Sequence, residues 1–221
     1  MQRLFDIIFS GLAILFFLPL LLIICAVLKY TGEGEIFYKQ DRVGKYGKMI
    51  KILKFATMLK DSPNMAMGTV TLKNDSRVLR VGKFLRKSKI NELPQLFNVV
   101  CGDMSLIGPR PQTLRCFQAF PKNLQDQIVS VRPGLSGIGS IFFRNEELML
   151  TEIDNADEFY DSIIMPYKGK LEVWYVRNNT ILLYFILIFA TIYATFTGKM
   201  LFRNKFLSAL PANPKELNKY L

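Results

Sequence analysis

Hydrophobic residues are concentrated near the N-terminus and after residue 180, and the sequence between these two places is typical of a folded, water-exposed domain. Residues 7–28 carry no charge and are long enough to cross a bilayer as a helix. A cleavable signal peptide is disfavoured because no small-x-small cleavage site follows. Pro19 removes a helical hydrogen bond in the middle of this run, so we expect a kink there. A simple span and a re-entrant hairpin, which enters and leaves by the same face, both fit the pattern.

The segment after residue 30 predicts a β-hairpin. Residues 35–39 and 49–53 have the composition of short strands, and Gly44 and Gly47 mark a turn between them. Residues 61–64 contain a proline and are expected to form a loop. We therefore expect strands and helices to alternate in an α/β fold.

A strongly basic helix is predicted next. Between residues 73 and 89, including Lys73, the chain has seven basic residues and one acidic residue, Asp75. Apolar side chains at positions 78, 81 and 85 follow helical spacing, and Asp75 or Ser76 is placed to cap the helix. Such a helix can lie on an anionic membrane or direct cations at a phosphate, and its periodicity does not choose between the two.

A second helix is predicted by an apolar stripe at positions 93, 96, 97 and 100. Pro94 is tolerated only in a first turn, so this helix should begin near Asn91 or Glu92. Gly102 should end it. The loop that follows, residues 103–111, is stiffened by two prolines on either side of Arg110.

The C-terminal third changes in charge and then becomes apolar. Residues 146–161 contain seven acidic residues and no basic one. Residues 180–197 form an apolar run, which predicts either a second membrane span or a helix deep in the interface. Tyr184, Tyr193 and Lys199 would suit anchoring at that interface.

The formal net charge of +11 favours a polyanionic partner. The apolar segments favour lipid and phosphorylated substrates over nucleic acid, for which the sequence carries no binding motif. The absence of histidine excludes Ser-His-Asp triads, Cys-His dyads and HExxH zinc sites. Three cysteines without paired spacing argue against a disulfide framework and favour a reducing, cytoplasmic location for the working domain.

Candidate phosphate-binding groups are found around position 92. A helix beginning at Asn91 and Glu92 would offer unpaired backbone N–H groups to a phosphate. Arg110 can bind phosphate oxygens through two parallel hydrogen bonds, and Glu92 can hold Mg²⁺ together with substrate phosphates. Together these parts suit phosphoryl transfer. Taken singly, Glu92 also fits an acid that complements a helix dipole, and Arg110 a structural loop arginine.

The stretch NELPQLFNVVCGDMSLIGPRP at residues 91–111 resembles the bacterial sugar transferase family, the monotopic polyprenyl-phosphate phosphoglycosyl transferases. The family pattern is close to DELPQL-NVL-GDMSLIGPRP. The resemblance covers roughly residues 1–195. Its flanking matches include FYKQDRVG at 37–44, LKFATM at 53–58, DSR at 75–77 and VRPGLSG at 131–137.

The resemblance implies an enzyme that transfers a sugar phosphate from a UDP-sugar to undecaprenyl phosphate, uses Mg²⁺ and releases UMP. The implied reaction is a double displacement, in which the Asp of an Asp–Glu pair is the nucleophile and the Glu binds the metal. Carried over to this chain, Asn91 and Glu92 occupy the catalytic pair, and Glu92 is the metal ligand. Lys54, Arg86 and Arg110 are candidates for binding phosphate and carrier.

The resemblance also implies an architecture. Residues 1–30 would form a re-entrant membrane helix bent at Pro19, and residues 31–178 a small cytoplasmic catalytic domain with short strands and amphipathic interfacial helices. At residues 179–221 the chain itself predicts an apolar, membrane-associated region, because this segment is more apolar than the family's usual surface helix. The expected location is the bacterial inner membrane, with its lipid as a partner and the catalytic domain on the cytoplasmic face. The sugar and the oligomeric state, a homodimer included, stay open.

The chain departs from the family at the nucleophile, where Asn91 replaces Asp and cannot form an acyl phosphate. Three interpretations follow: a disabled form of a chain whose native residue is Asp, a working variant, or an inactive membrane-bound relative that only binds. In a working variant either Glu92 or the carrier phosphate itself would attack. We prefer this second interpretation, because Asn also caps helices well. Ala56 and Ser140 replace residues expected from substrate-binding motifs, and Arg42 matches a motif without an assigned role.

Overall fold

The chain combines helices with short strands, as expected. The computed structural model describes residues 1–62, 65, 75–198 and 210–220. Its strands are β1 (Phe37–Val43), β2 (Met49–Phe55), β3 (Ser105–Ile107) and β4 (Gly134–Ser136). Its α-helices are α1 (Gln2–Thr31), α2 (Arg80–Lys87), α3 (Gln95–Cys101), α4 (Leu114–Gln118), α5 (Lys122–Ile128), α6 (Ile138–Phe142), α7 (Glu146–Thr151), α8 (Ala156–Phe159), α9 (Met165–Arg177) and α10 (Ile181–Thr197). Short 3-10 turns lie at Lys45–Gly47, Ile90–Glu92 and Lys215–Leu217, and a π-helical turn at Tyr160–Ile164.

The predicted hairpin is present, with strands longer than expected. β1 and β2 are antiparallel, in register from Phe37 opposite Phe55 to Val43 opposite Met49. The turn between them ends at Gly47, whose φ of 73° lies in the left-handed region that favours glycine.

A parallel strand pair lies partly within the stretch that was expected to be only a loop. Ser105 of β3 is opposite Gly134 of β4. A side chain at Gly134 would not fit, because its Cβ would lie 2.1 Å from the backbone nitrogen of Gly108. The two backbones are therefore in close contact where the chain leaves β3 and the loop that carries Arg110 begins.

The first helix contacts the rest of the chain at both of its ends. It continues through Pro19, so the proline does not divide it into two elements. Near its start, Arg3 donates to the carbonyl of Val99 at 2.5 Å. Near its end, the buried Leu28 packs with side chains of β2 and α2. Its outer side chains are apolar and exposed, and by length and composition it could cross a membrane.

Asp6 connects α1 to two other elements. Its carboxylate is buried and accepts hydrogen bonds from Ser105 Oγ at 3.0 Å and the Leu106 N–H at 3.0 Å, both on β3. It also accepts a bond from Tyr184 Oη of α10 at 2.9 Å. A carboxylate in an apolar helix is therefore satisfied by three donors from distant parts of the sequence.

The apolar run predicted at residues 180–197 forms α10. One face of α10 packs into the main hydrophobic core together with α6, α7 and α9. Its opposite face exposes Leu182, Phe189 and Phe196. The ring of Phe185 lies 5.1 Å from that of Phe5, so α10 lies beside the first turns of α1.

The predicted cap of the basic helix is wrong. α2 begins at Arg80, and no side chain caps it. Asp75 instead binds the guanidinium of Arg77 at 2.6 Å and the backbone N–H of Arg77 at 2.9 Å. The carboxylate thus closes the turn before the helix. The expectations for residues 63–64, Lys73 and Lys199 fall outside the described residues.

The predicted start of the next helix is displaced. Residues Ile90–Glu92 form a 3-10 turn, and α3 begins only after Pro94. Pro94 has no N–H to donate to the carbonyl of Ile90, which accepts from the Leu93 N–H at 3.1 Å instead. Gly102, with φ of 100°, ends the helix as expected.

Candidate active site

Four of the residues that the sequence singled out come from different elements and lie in one region. Lys54 is on β2, Arg86 on α2, Glu92 in the 3-10 turn before α3, and Arg110 in the loop after β3. The β1–β2 hairpin, α2 and the close contact between the Gly108 and Gly134 backbones bring these elements together. Pro19 lies in α1, outside this group.

Glu92 and Arg110 form a half-buried ion pair. Arg110 Nη2 lies 2.5 Å from Glu92 Oε1, and the two side chains are 29% and 16% exposed, respectively. Arg110 Nη1 also donates to the carbonyl of Leu135 at 3.3 Å. The guanidinium is therefore held between the turn of Glu92 and β4, with part of its surface open.

Glu92 is ionised in this environment. Burial by itself would raise its pKa, but the positive charges of Arg110 and Lys54 outweigh burial, and the pKa of Glu92 falls to about 2. The hydrogen bond from Arg110 and the charge of Lys89 act in the same direction. The carboxylate is thus a permanent negative charge at physiological pH and suits a metal ligand better than a proton donor.

Lys54 lies among several cations. Its pKa is lowered to about 7, first by burial and then by the charge of Arg42. Arg110 and Arg86 lower this pKa as well, and Glu92 opposes them. The charges that act most strongly on Lys54 are therefore three guanidiniums and one carboxylate. An excess of positive charge in a partly buried site favours a polyanionic ligand.

Arg42 belongs to this cation group, although sequence reasoning gave it no role. Its Nη1 donates to the carbonyl of Pro111 at 3.3 Å, and its Nη2 to Gln40 Oε1 at 2.7 Å. Gln40 Oε1 also accepts from Lys54 Nζ at 3.1 Å. Burial, and after it the charge of Arg110, lower the pKa of Arg42 to about 10. Side chains alternate between the two faces of a strand, and Tyr38 of β1 is opposite Lys54 of β2. This register could have indicated that Gln40 and Arg42 share a face with Lys54.

The helix end that was expected to bind phosphate is not available at residue 92. The backbone N–H groups of Glu92 and Leu93 already donate to the carbonyls of Lys89 and Ile90, each at 3.1 Å. The 3-10 turn thus pairs these two donors, which would stay unpaired in the first turn of an α-helix. The positive charge of the site comes from side chains instead.

Asn91 is buried beside Glu92 and does not cap the helix. Within the described part of the chain, its Oδ1 has no hydrogen-bond partner. An unpaired buried carbonyl oxygen next to a carboxylate can serve as a neutral oxygen ligand for a hard cation. A neutral amide supplies no carboxylate nucleophile at this position.

The donor set fits a magnesium ion that is shared with a substrate. Among the residues that the structure describes, no group of three or more His, Cys, Asp or Glu side chains could hold a metal ion by itself. Mg²⁺ typically takes one or two carboxylates together with substrate phosphates and water. Glu92 can supply the carboxylate, and the surrounding cations disfavour a metal that arrives without a phosphate.

Comparison with known proteins identifies the family. The profile of the bacterial sugar transferase family matches residues 1–198. The chain belongs to this family, so the resemblance found in residues 91–111 is confirmed.

Several relatives are named for sugar phosphate transfer or for exopolysaccharide production. The chain is 34% identical over 203 residues to a UDP-glucose:undecaprenyl-phosphate glucose-1-phosphate transferase of Klebsiella pneumoniae, a match that covers 90% of this chain and 40% of that protein. It is 34% identical over 199 residues to a UDP-N-acetylgalactosamine-undecaprenyl-phosphate N-acetylgalactosaminephosphotransferase of Aeromonas hydrophila, covering 89% of this chain and 44% of that protein. It is 32% identical over 205 residues to the exopolysaccharide production protein ExoY of Rhizobium meliloti, covering 86% of this chain and 83% of that protein. The chain thus spans less than half of the two named transferases and most of ExoY.

Proposed function

We propose that this chain is a membrane-bound phosphoglycosyl transferase, which moves a sugar 1-phosphate from a UDP-sugar to undecaprenyl phosphate and releases UMP. The observation that carries the proposal is the group of cations around the ionised Glu92. The names of the relatives support the same general reaction. The negative charge of a diphosphate would neutralise the excess positive charge of these cations. Phosphoryl transfer depends mainly on positioning the phosphates and neutralising their charge.

In the proposed reaction, Arg110 and Lys54 bind the phosphate oxygens and orient the diphosphate. Arg110 offers a planar pair of N–H groups, whereas Lys54 offers a single charge. Arg86 and Arg42 add to the positive field without needing direct contact. When bound, Mg²⁺ would neutralise charge on the phosphates, and Glu92, with the amide oxygen of Asn91, would hold it.

We further propose that α1 enters one leaflet only, from the cytoplasmic face of the inner membrane. The contacts of Arg3 and Leu28 support this topology, because they attach both ends of the helix to one folded body. A simple span would place the two ends on opposite sides of the bilayer. The exposed apolar side chains in the middle of α1 and along α10 would then face lipid.

The second candidate function, a binding protein without turnover, is favoured by one observation, Asn91 at the nucleophile position. The site around Asn91 still contains the cations Lys54, Arg86 and Arg110 and the carboxylate of Glu92. We propose that the chain turns over in the absence of an Asp nucleophile, through attack by the carrier phosphate on the nucleotide sugar. In that step, a carrier oxygen forms a bond to the phosphorus that bears the sugar, and the bond from this phosphorus to the UMP oxygen breaks.

The test is UMP release from a panel of UDP-sugars, with undecaprenyl phosphate and Mg²⁺, by the chain in nanodiscs. We expect turnover in the wild-type chain and its loss in Glu92→Gln. Glu152→Gln, which removes an exposed carboxylate 3.7 Å from Lys219, is the matched control and should stay active. Full activity in Glu92→Gln would exclude the metal role of Glu92.

A further comparison distinguishes the interpretations of Asn91. If the wild-type chain binds UDP-sugar and releases no UMP, while Asn91→Asp turns over, the chain is a binding protein and not a transferase. If the wild-type chain turns over, intact-protein mass spectrometry should find no phosphosugar adduct on it. An adduct on Glu92 would contradict direct attack by the carrier.

A further inference from the structure

Two buried charged residues on α9 are not explained by the proposed reaction. Lys168 and Glu172 lie one helical turn apart and are 3% and 1% exposed, in a helix that otherwise contributes to the main core. Burying charges costs free energy unless they are paired and hydrogen-bonded. Their position therefore calls for partners or for a function.

Glu172 reaches the backbone of the loop that carries Arg110. Its Oε1 accepts a long hydrogen bond, 3.4 Å, from the backbone N–H of Arg110. The carboxylate lies against Gly139 of α6, where a Cβ would be only 2.4 Å from Oε1. Glycine at position 139 thus leaves the space through which Glu172 approaches the loop.

Lys168 has partners of its own. Its Nζ lies 2.8 Å from Glu146 Oε2 and above the rings of Phe143 and Tyr160, at 5.4 Å and 5.9 Å. Among the described residues, the ion pair of Lys168 is with Glu146 and not with Glu172, although the charge of Lys168 lowers the pKa of Glu172. Within the described part of the chain, the second oxygen of Glu172, Oε2, has no hydrogen-bond partner.

We propose that Glu172 is a positioning residue, which holds the backbone of Arg110 so that its guanidinium reaches both Glu92 and the phosphates of the substrate. The inference rests on the proposed function, because it concerns how that site binds its diphosphate. Arg110 is attached at two points, its guanidinium to Glu92 and its backbone to Glu172. Burial raises the pKa of Glu172 to about 7, which agrees with a carboxyl group retained in the core at a cost.

Glu172→Met removes the acceptor and fills the space with an apolar side chain of similar length, so the chain should still fold. The affinity for a UDP-sugar, measured by calorimetry in nanodiscs, should fall about tenfold, which is the size expected for one hydrogen bond that orients a charged group. Glu172→Gln keeps an acceptor oxygen and should retain the affinity. Gly139→Ala, which displaces the carboxylate without changing its charge, should lower the affinity as Glu172→Met does.

Tyr175→Phe is the matched control. Tyr175 lies on the same helix, and its hydroxyl donates to the carbonyl of Ile107 at 3.2 Å, so the variant also loses one bond between α9 and β3. Its thermal stability should fall while its affinity for the UDP-sugar stays unchanged. Equal affinity in the wild-type chain and Glu172→Met, or equal losses in Glu172→Met and Tyr175→Phe, would overturn the inference alone. A wild-type chain that does not bind UDP-sugars would remove the proposed function and this inference with it.

Discussion

The affinity for a UDP-sugar should fall as the pH rises through 7, because Lys54 loses its charge there. The pKa of Lys54 is about 7 in the ligand-free chain, against an ordinary value of 10.5. A bound diphosphate favours the charged form of the lysine and so raises its pKa again. The protonated lysine attracts phosphate, which means that affinity is greatest below pH 7 and declines above it.

The size of the effect follows from these two pKa values. If the diphosphate restores the pKa of Lys54 to near its ordinary value, binding at pH 8 is about tenfold weaker than at pH 6, or about 1.4 kcal/mol. Binding at pH 8 then takes up about one proton, which Lys54 accepts. The diphosphate of a UDP-sugar has no proton to lose in this range, so the ligand does not contribute.

Calorimetry at pH 6, 7 and 8, in buffers with different heats of ionisation, measures both the affinity and the proton uptake. Lys54→Arg is the control, because an arginine stays charged throughout and should give a shallower profile with less proton uptake. Glu172, whose pKa is also about 7, titrates in both chains, so the difference between them isolates Lys54. A constant affinity from pH 6 to 8 in the wild-type chain, or an equal slope in Lys54→Arg, would refute the reasoning.

Two further predictions concern stability, measured by thermal unfolding in detergent. Gly134→Ala should destabilise the chain by more than about 4 kcal/mol or prevent folding, since its Cβ would meet the Gly108 backbone; Gly11→Ala, with no atom within 4 Å, should change little. Asp6→Ala should cost about 3 kcal/mol, because it removes the acceptor of three donors, two of which belong to the buried Ser105 and Tyr184. Asp41→Ala, which breaks only the exposed ion pair with Lys51, should cost less than about 1 kcal/mol. An equal loss of stability in both Asp variants would contradict the role of the Asp6 hydrogen bonds.

Elements with a strong local pattern could be predicted from the sequence. The hairpin followed from β-rich segments around Gly44 and Gly47, and the apolar runs at both ends became α1 and α10. The parallel pair of β3 and β4 could not be predicted in this way. It depends on the contact between the Gly108 and Gly134 backbones, which are far apart in sequence and carry no local periodicity.

The candidate site was predicted in part for the same reason. Glu92 and Arg110 stood out through the motif, but Glu172 has no motif neighbour and is found only from its contact across the fold. The prediction of a phosphate-binding helix end at residue 92 was wrong, because the N–H groups of Glu92 and Leu93 are already bonded within a 3-10 turn. Periodicity locates a helix, whereas the hydrogen bonds of its first residues depend on individual side chains.

The Asp6–Tyr184 bond has a consequence for how the chain is made. Tyr184 follows Asp6 by 178 residues in the chain, so the hydroxyl is synthesised long after the carboxylate. Until Tyr184 has been synthesised, the carboxylate lies in an apolar segment without this donor, which costs free energy. The hydrogen bond between α1 and α10 can form only after α10 has been synthesised, so α1 should reach its final packing late.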